Sequence, residues 1–436
     1  MKFLGVFLGV LFQVANSSCH ILSDESAVHA SASSKVSTSQ AIRFHLAPMQ
    51  CYTNLAFRRL FQAISPDTTL WTEMEKVPDI IHADAAALAR RFGMPGHKPL
   101  VLQLGGNDPM SIRQCIRHLS HHGYEFDEIN LNCGCPSIES GGAATYGASL
   151  MKQPKLTHDL IAAIAEATSS TATVVSLKCR TAVYDTPEEL QHRGRLEEDY
   201  RRLHDYIQHA YDGGISHLVL HARPAVLSGL SPTKNRHVPP IDYDTAQRIS
   251  QDFAIDVTLN GNITGLQQLQ QMVLEKRSLS FMAGRWMLRR PLDLSLIQSN
   301  VLSSPNLGVT ESLAERALKA VEGYSDFVVQ CIRSSRQDTL PSINDLSLPL
   351  FMITEQLSED YEYAENPSNN VWMEYETMED IYDCITDTVQ QVQAFRRVQP
   401  TSFSHSAIEF NKLHSAFKSL IGKKVVSKWK RNRSEL

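Results

Sequence analysis

The chain has no pair of cysteines at CxxC spacing, although eight cysteines are spread over its 436 residues, at 19, 51, 115, 133, 135, 179, 331 and 384. A chain this long can bury a core without disulfide staples, so the cysteines read as reduced thiols. No histidines stand near them at metal-ligand spacing, which argues against a metal site. No GxGxxG follows the first predicted strand, which disfavours a dinucleotide-binding open sheet. The apolar run from Phe3 to Ala15 is too short to span a bilayer, so no membrane association of the mature protein is expected. A net positive charge is also lacking. The formal net charge is −5, which read globally argues against a nucleic-acid partner.

That average hides an asymmetry. Residues 355–383 hold ten carboxylates and no Lys or Arg, whereas residues 411–433 hold eight Lys/Arg and no carboxylate. In the basic stretch Trp429 sits among Lys428, Lys430, Arg431 and Arg433. Such a run is either a solvated face or a contact for an RNA backbone. The apolar fraction of 42% and charged fraction of 20% are those of a soluble globular protein, and the length suggests two folded parts.

Residues 1–42 stand apart. Lys2 and the apolar run resemble the core of a signal peptide, and a Ser/Ala-rich stretch from Ser26 to Gln40 follows. The readings are an organellar address (plastid or mitochondrion), a disordered leader or a misassigned start with a cytoplasmic protein.

From Arg43 onward, short apolar runs alternate with helical spacing. The runs are Phe44–Ala47, Leu70–Met74, Leu100–Leu104, Glu128–Asn132, Val174–Lys178, His217–His221, Asp256–Asn260 and Ser280–Gly284. Between them lie helical patterns such as Ser111–His122, Leu156–Ser169, Leu196–Asp212 and Gly265–Glu275. Eight strand–helix repeats predict an α/β fold, a (β/α)₈ TIM barrel over 43–300. A helical domain over 301–436 is expected to follow, with helices over Leu313–Ser334 and Ile381–Arg397, an irregular loop over 337–370, an acidic insertion around 337–383 and the basic tail. In such a barrel the chemistry sits where strands end. Pro48 and Met49, Gln103, Asn130, Asn132 and Cys135, Lys178, His221, Asn260-Gly261-Asn262 and Gly284-Arg285 all fall on strands or at those ends. One such residue could be structural, but so many ends carrying them point to a site.

The segments LAPMQCYTNLAFRRLF (46–61), LWTEM (70–74), VLQLGGNDP (101–109), DEINLNCGCPS (127–137), VSLKCRTAVYD (175–185), HARPAVLSGLSPTKNRHVPPIDY (221–243) and AGRWMLRRP (283–291) resemble the tRNA-dihydrouridine synthases. The long string from His221 is similar to the subgroup acting on D-loop uridines 20 and 20a. A weaker likeness resumes over 413–431. There are departures. Asn260-Gly261-Asn262 stands for the family's Asn-Gly-Gly, Lys178-Cys179-Arg180 for Lys-Thr-Arg, and Ile138-Glu139-Ser140 where a basic residue commonly follows Gly-Cys-Pro-Ser. Cys51 and Asn54 stand where some members carry Asp.

The resemblance implies reduction of the uracil 5,6 double bond of tRNA uridine. No side chain donates a hydride, so a cofactor must: by resemblance FMN, recharged by NADPH or NADH. It implies Ala47, Pro48 and Met49 against the ring, Gln103, Lys178 and His221 on its polar edge, and Asn260, Gly261, Asn262, Gly284 and Arg285 toward the cofactor, the last four around its phosphate. Cys135 is the implied acid. A thiol ordinarily titrates near about 8.5, so it holds a proton at neutral pH and can release it. Cys133 reads instead as a small buried hydrophobe. Asn132 is expected at the uracil, and Lys234, Asn235 and Arg236 at the tRNA. tRNA is the expected partner, with no obligate protein partner. A flavin barrel reducing a small molecule explains the barrel and phosphate site equally well but not the basic tail. A non-catalytic RNA-binding relative is disfavoured by Cys135, Lys178 and His221.

Overall fold

The structure, a computed structural model, describes residues 42–421 apart from 67, 96–99, 137–145, 194–196, 279, 298–311, 363–374, 398–400 and 404–409. The leader, the Ser137–Ser140 segment and the tail beyond Ile421, with Trp429, lie outside the described residues.

Each apolar run is a strand: β1 (Arg43–Leu46), β2 (Leu70–Lys76), β3 (Leu100–Gly105), β4 (Glu128–Cys133), β5 (Val174–Arg180), β6 (His217–His221), β7 (Asp256–Asn260) and β8 (Ser280–Ala283). All neighbours pair in parallel, and β1 pairs with β8 from Arg43↔Ser280 to Leu46↔Ala283. The last seam closes at the mouth of β2, where Leu46 N–H donates to Thr69 O at 3.0 Å and Thr69 N–H to Phe44 O at 3.2 Å. The sheet is therefore a closed barrel, as the alternation predicts. An additional parallel pair, Val183–Tyr184 with Ala225–Val226, joins the loops that follow β5 and β6.

Strand alternation sorts side chains to two places. On β4, Ile129, Leu131 and Cys133 belong to the large apolar core between sheet and helices. Glu128, Asn130 and Asn132 alternate with them and face the other strands' polar groups inside the barrel. A separate apolar cluster of Ala47, Trp71, Val101, Val219 and Met282 stands apart from that core. Trp71 is fully buried and its indole N–H donates to His45 Nδ1 at 3.2 Å.

The helices start where their caps dictate. Asn54 caps α1 (Leu55–Ile64) by accepting from Phe57 N–H, and Ser312 with Glu315 forms a capping box on α2 (Leu313–Arg333). The irregular loop expected over 337–370 is instead helical from Ile343 to Glu362, here α3. Ser342 receives the Asp345 N–H at its start, and the apolar set Leu346, Leu350, Phe351, Ile353 and Leu357 is buried. That burial outweighs the helix-breaking tendency of the internal Pro349. The final helices are α4 (Tyr375–Phe395) and α5 (Phe410–Leu420). α1 packs against both α2 and α3, α2 against α4, and α3 against α5. Arg290, just past β8, holds both Asp360 oxygens at 2.9 Å and also Asp293. Gln356 of α3 accepts from Leu292 N–H at 3.0 Å and donates to Asp293 at 3.0 Å. No described helix is long and apolar enough to cross a membrane.

Candidate active site

Strand register places Gln103, Asn130 and Ser176 side by side on β3, β4 and β5. Gln103 Nε2 donates to Asn130 Oδ1 at 2.9 Å, and Asn130 Nδ2 donates to Ser176 Oγ at 2.8 Å. Above them Asn132 Nδ2 donates to Gln103 Oε1 at 2.8 Å. Below them Ser176 Oγ donates to the Glu128 carboxylate, which is also bonded by His217 Nδ1 at 2.9 Å. All of these residues are buried, so every polar atom spent here replaces a lost water.

Asn132 also shapes the loop that carries Cys135. Its Oδ1 accepts the N–H of Gly134 at 3.2 Å and of Cys135 at 3.1 Å. Cys135 O accepts Ala148 N–H at 2.9 Å. Gly147 packs on that carbonyl at φ +71°, where a Cβ would lie 2.6 Å from the oxygen, so only glycine closes the loop. Cys135 is half-buried at the barrel mouth, whereas Cys133 is wholly buried with its thiol pushed up to about 12 by desolvation. Of the two, Cys135 alone is placed to exchange a proton with a ligand.

The rim that begins on the neighbouring strand, where Lys178 pairs in register with Asn132, is cationic. Lys178 Nζ donates to Asn260 Oδ1 at 2.8 Å, and Asn260 Nδ2 donates to Met282 O at 2.9 Å. Burial, followed by the Arg180 charge, lowers the Lys178 ammonium to about 7. His221 is held well below its ordinary value by burial first and then by the charges of Arg180, Lys178, Arg223 and Arg285, so the imidazole is neutral at pH 7. Gly261 lies flat on that ring: at φ +117°, a Cβ would be 2.7 Å from His221 Cδ2. Asn262, where the resemblance implies a glycine, sits at φ +54°. Asparagine is among the few side-chain-bearing residues that tolerate this region, so the departure preserves the backbone. Gly284 performs a similar service for the loop after β1, since a Cβ there would be 2.8 Å from Met49 Sδ and 3.1 Å from that of Ala47. Pro48 lies half-buried between these two residues.

Arg285 Nη1 is 2.8 Å from His237 Nε2. Arg223 spends Nη1 on the carbonyls of His237 and Pro239 and Nη2 on Asn262 Oδ1 at 3.4 Å, while its buried Nε has no partner among the described residues. A buried, unspent guanidinium N–H beside Arg285 and Asn262 fits an anion such as a flavin mononucleotide phosphate. The ring-side donors Lys178 and neutral His221 fit the polar edge of the same group.

The loop 234–236 divides. Lys234 is exposed and Arg236 half-buried with Nη2 on Thr233 Oγ1 at 3.1 Å. Asn235, expected at the tRNA, is fully buried. Its amide serves Val226 N–H at 2.8 Å, Val226 O at 2.9 Å and Leu230 O at 3.3 Å, so it shapes the loop from within. Three further residues belong to the site although the sequence does not single them out. Arg180 donates to Gly134 O at 3.0 Å, Asn235 O at 3.2 Å and Pro224 O at 3.3 Å, tying the loop after β4 to two points of the loop after β6. Arg223 and His237 form the anion end. The available signal is a basic residue two positions after Lys178 and again after His221, the period that returns a strand to the same face.

The family model described as dihydrouridine synthase (Dus) matches residues 45–328. The chain is 39% identical over 228 residues to a tRNA-dihydrouridine(20/20a) synthase of Xanthomonas campestris pv. campestris, covering 52% of this chain and 62% of that protein. It is 34% identical over 281 residues to a protein of the same name from Synechocystis sp., covering 64% of this chain and 77% of that one. The chain thus spans 62% and 63% of the two Xanthomonas relatives. Its likeness to the solved structure of TcOYE with pHBA is weak, at TM-score 0.41 and 10% identity over 65% of this chain and 95% of that one.

Proposed function

Because the chain belongs to the dihydrouridine synthase family, we propose that it reduces the 5,6 double bond of D-loop uridines 20 and 20a in tRNA to dihydrouridine. The observation that carries this reading is the pairing of a half-buried thiol, Cys135, held by Asn132, with a cationic rim that starts on the adjoining strand at Lys178 and Arg180. FMN, recharged by NADPH, would supply the hydride to uracil C6. The chain's own residues do the rest. Lys178 and His221 would hold the polar edge of the ring, with Gln103 beside them. Arg285 and Arg223 would hold the phosphate, with the backbone around Gly261, Asn262 and Gly284 free of side chains that would block it. Cys135 Sγ holds a proton and delivers it to C5 of the substrate, and Asn132 keeps that thiol at the mouth. The base must leave its stack to reach this depth, at a cost of a few kcal/mol that contacts to the RNA backbone offset. Exposed Lys234 and the basic tail are the groups suited to those contacts.

The test is direct. The purified protein should be yellow, and its reduced flavin should be reoxidised by tRNA stripped of dihydrouridine, not by small enones. Cys135→Ala should keep the flavin and lose turnover, whereas Cys133→Ala should retain turnover. Enone turnover without tRNA turnover would overturn the substrate, and a fully active Cys135→Ala enzyme would overturn the acid.

A further inference from the structure

Below the site runs a one-way chain of side chains: Asn132 to Gln103, Gln103 to Asn130, Asn130 to Ser176, and Ser176 to Glu128. We propose that Glu128, buried at the base of β4, is a positioning residue for Cys135 and fixes through this relay which way the Asn132 amide faces. The proposal rests on the reading of Cys135 as the acid and deepens it.

The argument is one of donors and acceptors. A carboxylate accepts and does not donate. Glu128 therefore obliges Ser176 to spend its single hydroxyl hydrogen downward and to accept from above. Asn130 must then turn its NH₂ toward Ser176 and its Oδ1 toward Gln103. Gln103 must in turn present Oε1 to Asn132, and Asn132 is left with Oδ1 facing the N–H groups of Gly134 and Cys135. Each amide alone could rotate by half a turn at little steric cost, because its oxygen and nitrogen are nearly the same size. A reversed Asn132 would aim N–H at two backbone N–H donors and release the loop. One acceptor-only group at the base removes that freedom from all the amides above it. His217, bonded to Glu128 at 2.9 Å and to Thr258 Oγ1 at 2.8 Å, holds the carboxylate at its station.

The test uses the full chain and two variants. Glu128→Gln is isosteric but brings an NH₂, so Ser176 can accept instead of donate and the relay can run in either sense. Ser176→Ala removes a single buried oxygen and cuts the relay midway. In both, iodoacetamide should alkylate Cys135 at a rate several-fold different from the parent, read by mass spectrometry without substrate. The kcat for tRNA reduction should fall by about tenfold, the scale of one lost hydrogen bond, a larger effect than any on tRNA KM or flavin content. A purely structural role would instead lower flavin content and raise the tRNA KM while kcat falls. Parent-like alkylation in a folded Glu128→Gln or Ser176→Ala protein overturns the relay, and if one variant fails to fold the other decides. Altered alkylation in the variants of a parent that makes no dihydrouridine would uphold the relay and overturn the proposed function.

Discussion

Replacing Lys178 by methionine should make the stability of the flavin-stripped protein depend less on pH. The lysine lies at the barrel mouth, and burial with the nearby Arg180 lowers its ammonium from 10.5 to about 7. Between these values the unfolded chain binds a proton that the folded chain does not. Stability then rises with pH, by about 1.4 kcal/mol per pH unit for one proton. From pH 7 to pH 9 this is about 2.7 kcal/mol at full strength. Lys178 is half-buried and keeps some access to water in the open pocket, which leaves about 1–3 kcal/mol. Below pH 7 both states carry the charge and the dependence ends. The bond from Lys178 to Asn260 is lost in the variant at every pH and cancels from the comparison. Most other titrating groups are common to both proteins; His221, depressed in part by the Lys178 charge, is partly relieved in the variant, an effect confined to pH near and below its ordinary value of 6.5. Urea unfolding of parent and Lys178→Met at pH 6 and pH 9 measures the difference. The parent should gain about 1–3 kcal/mol on the variant between the two. A difference that stays constant within about 0.5 kcal/mol, the usual scatter of extrapolated unfolding energies, would refute the placement of a desolvated ammonium there.

Arg285→Ala should weaken FMN retention by about 1.5–3 kcal/mol, the worth of a charged hydrogen bond, while Lys178→Met mainly slows flavin reduction by NADPH; flavin titration and stopped-flow absorbance separate the two. Asn262→Gly should be tolerated in stability and flavin content, whereas Asn262→Val, β-branched at φ +54°, should cost about 1–3 kcal/mol in thermal unfolding. Neutralising Lys428, Lys430, Arg431 and Arg433, which lie outside the described residues, should leave NADPH oxidation intact. It should also flatten the slope of log tRNA affinity against log salt, measured over about 50–200 mM salt, by somewhat under one for each RNA phosphate that a removed charge had neutralised.

The barrel is legible in the sequence because each strand is a compact apolar run followed by polar groups, a pattern set by burial on both faces. The helix Ile343–Glu362 is hidden by its Ser, Asp and Pro content, and only its packing against α1 and α5 makes its apolar residues decisive. At the site, Cys135, Lys178 and His221 stand out as unusual residues at strand ends. Asn235 misleads because its basic neighbours suggest an outward loop, while tertiary closure turns its amide inward. Glu128 opens its strand and Ser176 lies in the first half of its own, away from the strand ends where barrel chemistry is sought. The alternation Glu128, Asn130, Asn132 against Ile129, Leu131, Cys133 is nonetheless visible, and it inverts the usual habit of polar residues facing outward.

The seam between β1 and β8 joins Arg43 to Ser280, strands about 240 residues apart in the chain. A ribosome adds about 5–20 residues per second, so β1 emerges about 12–48 seconds before the strand that will cover it. Throughout that interval the growing sheet has bare edges with unpaired N–H and C=O groups, a template for pairing with another chain. β1 is only four residues long and opens with Arg43, a short, charged edge of the kind that resists such pairing. The same seam makes the barrel unforgiving of premature termination: a chain that stops before Ser280 has most of its strands and helices yet no means of closing the cylinder.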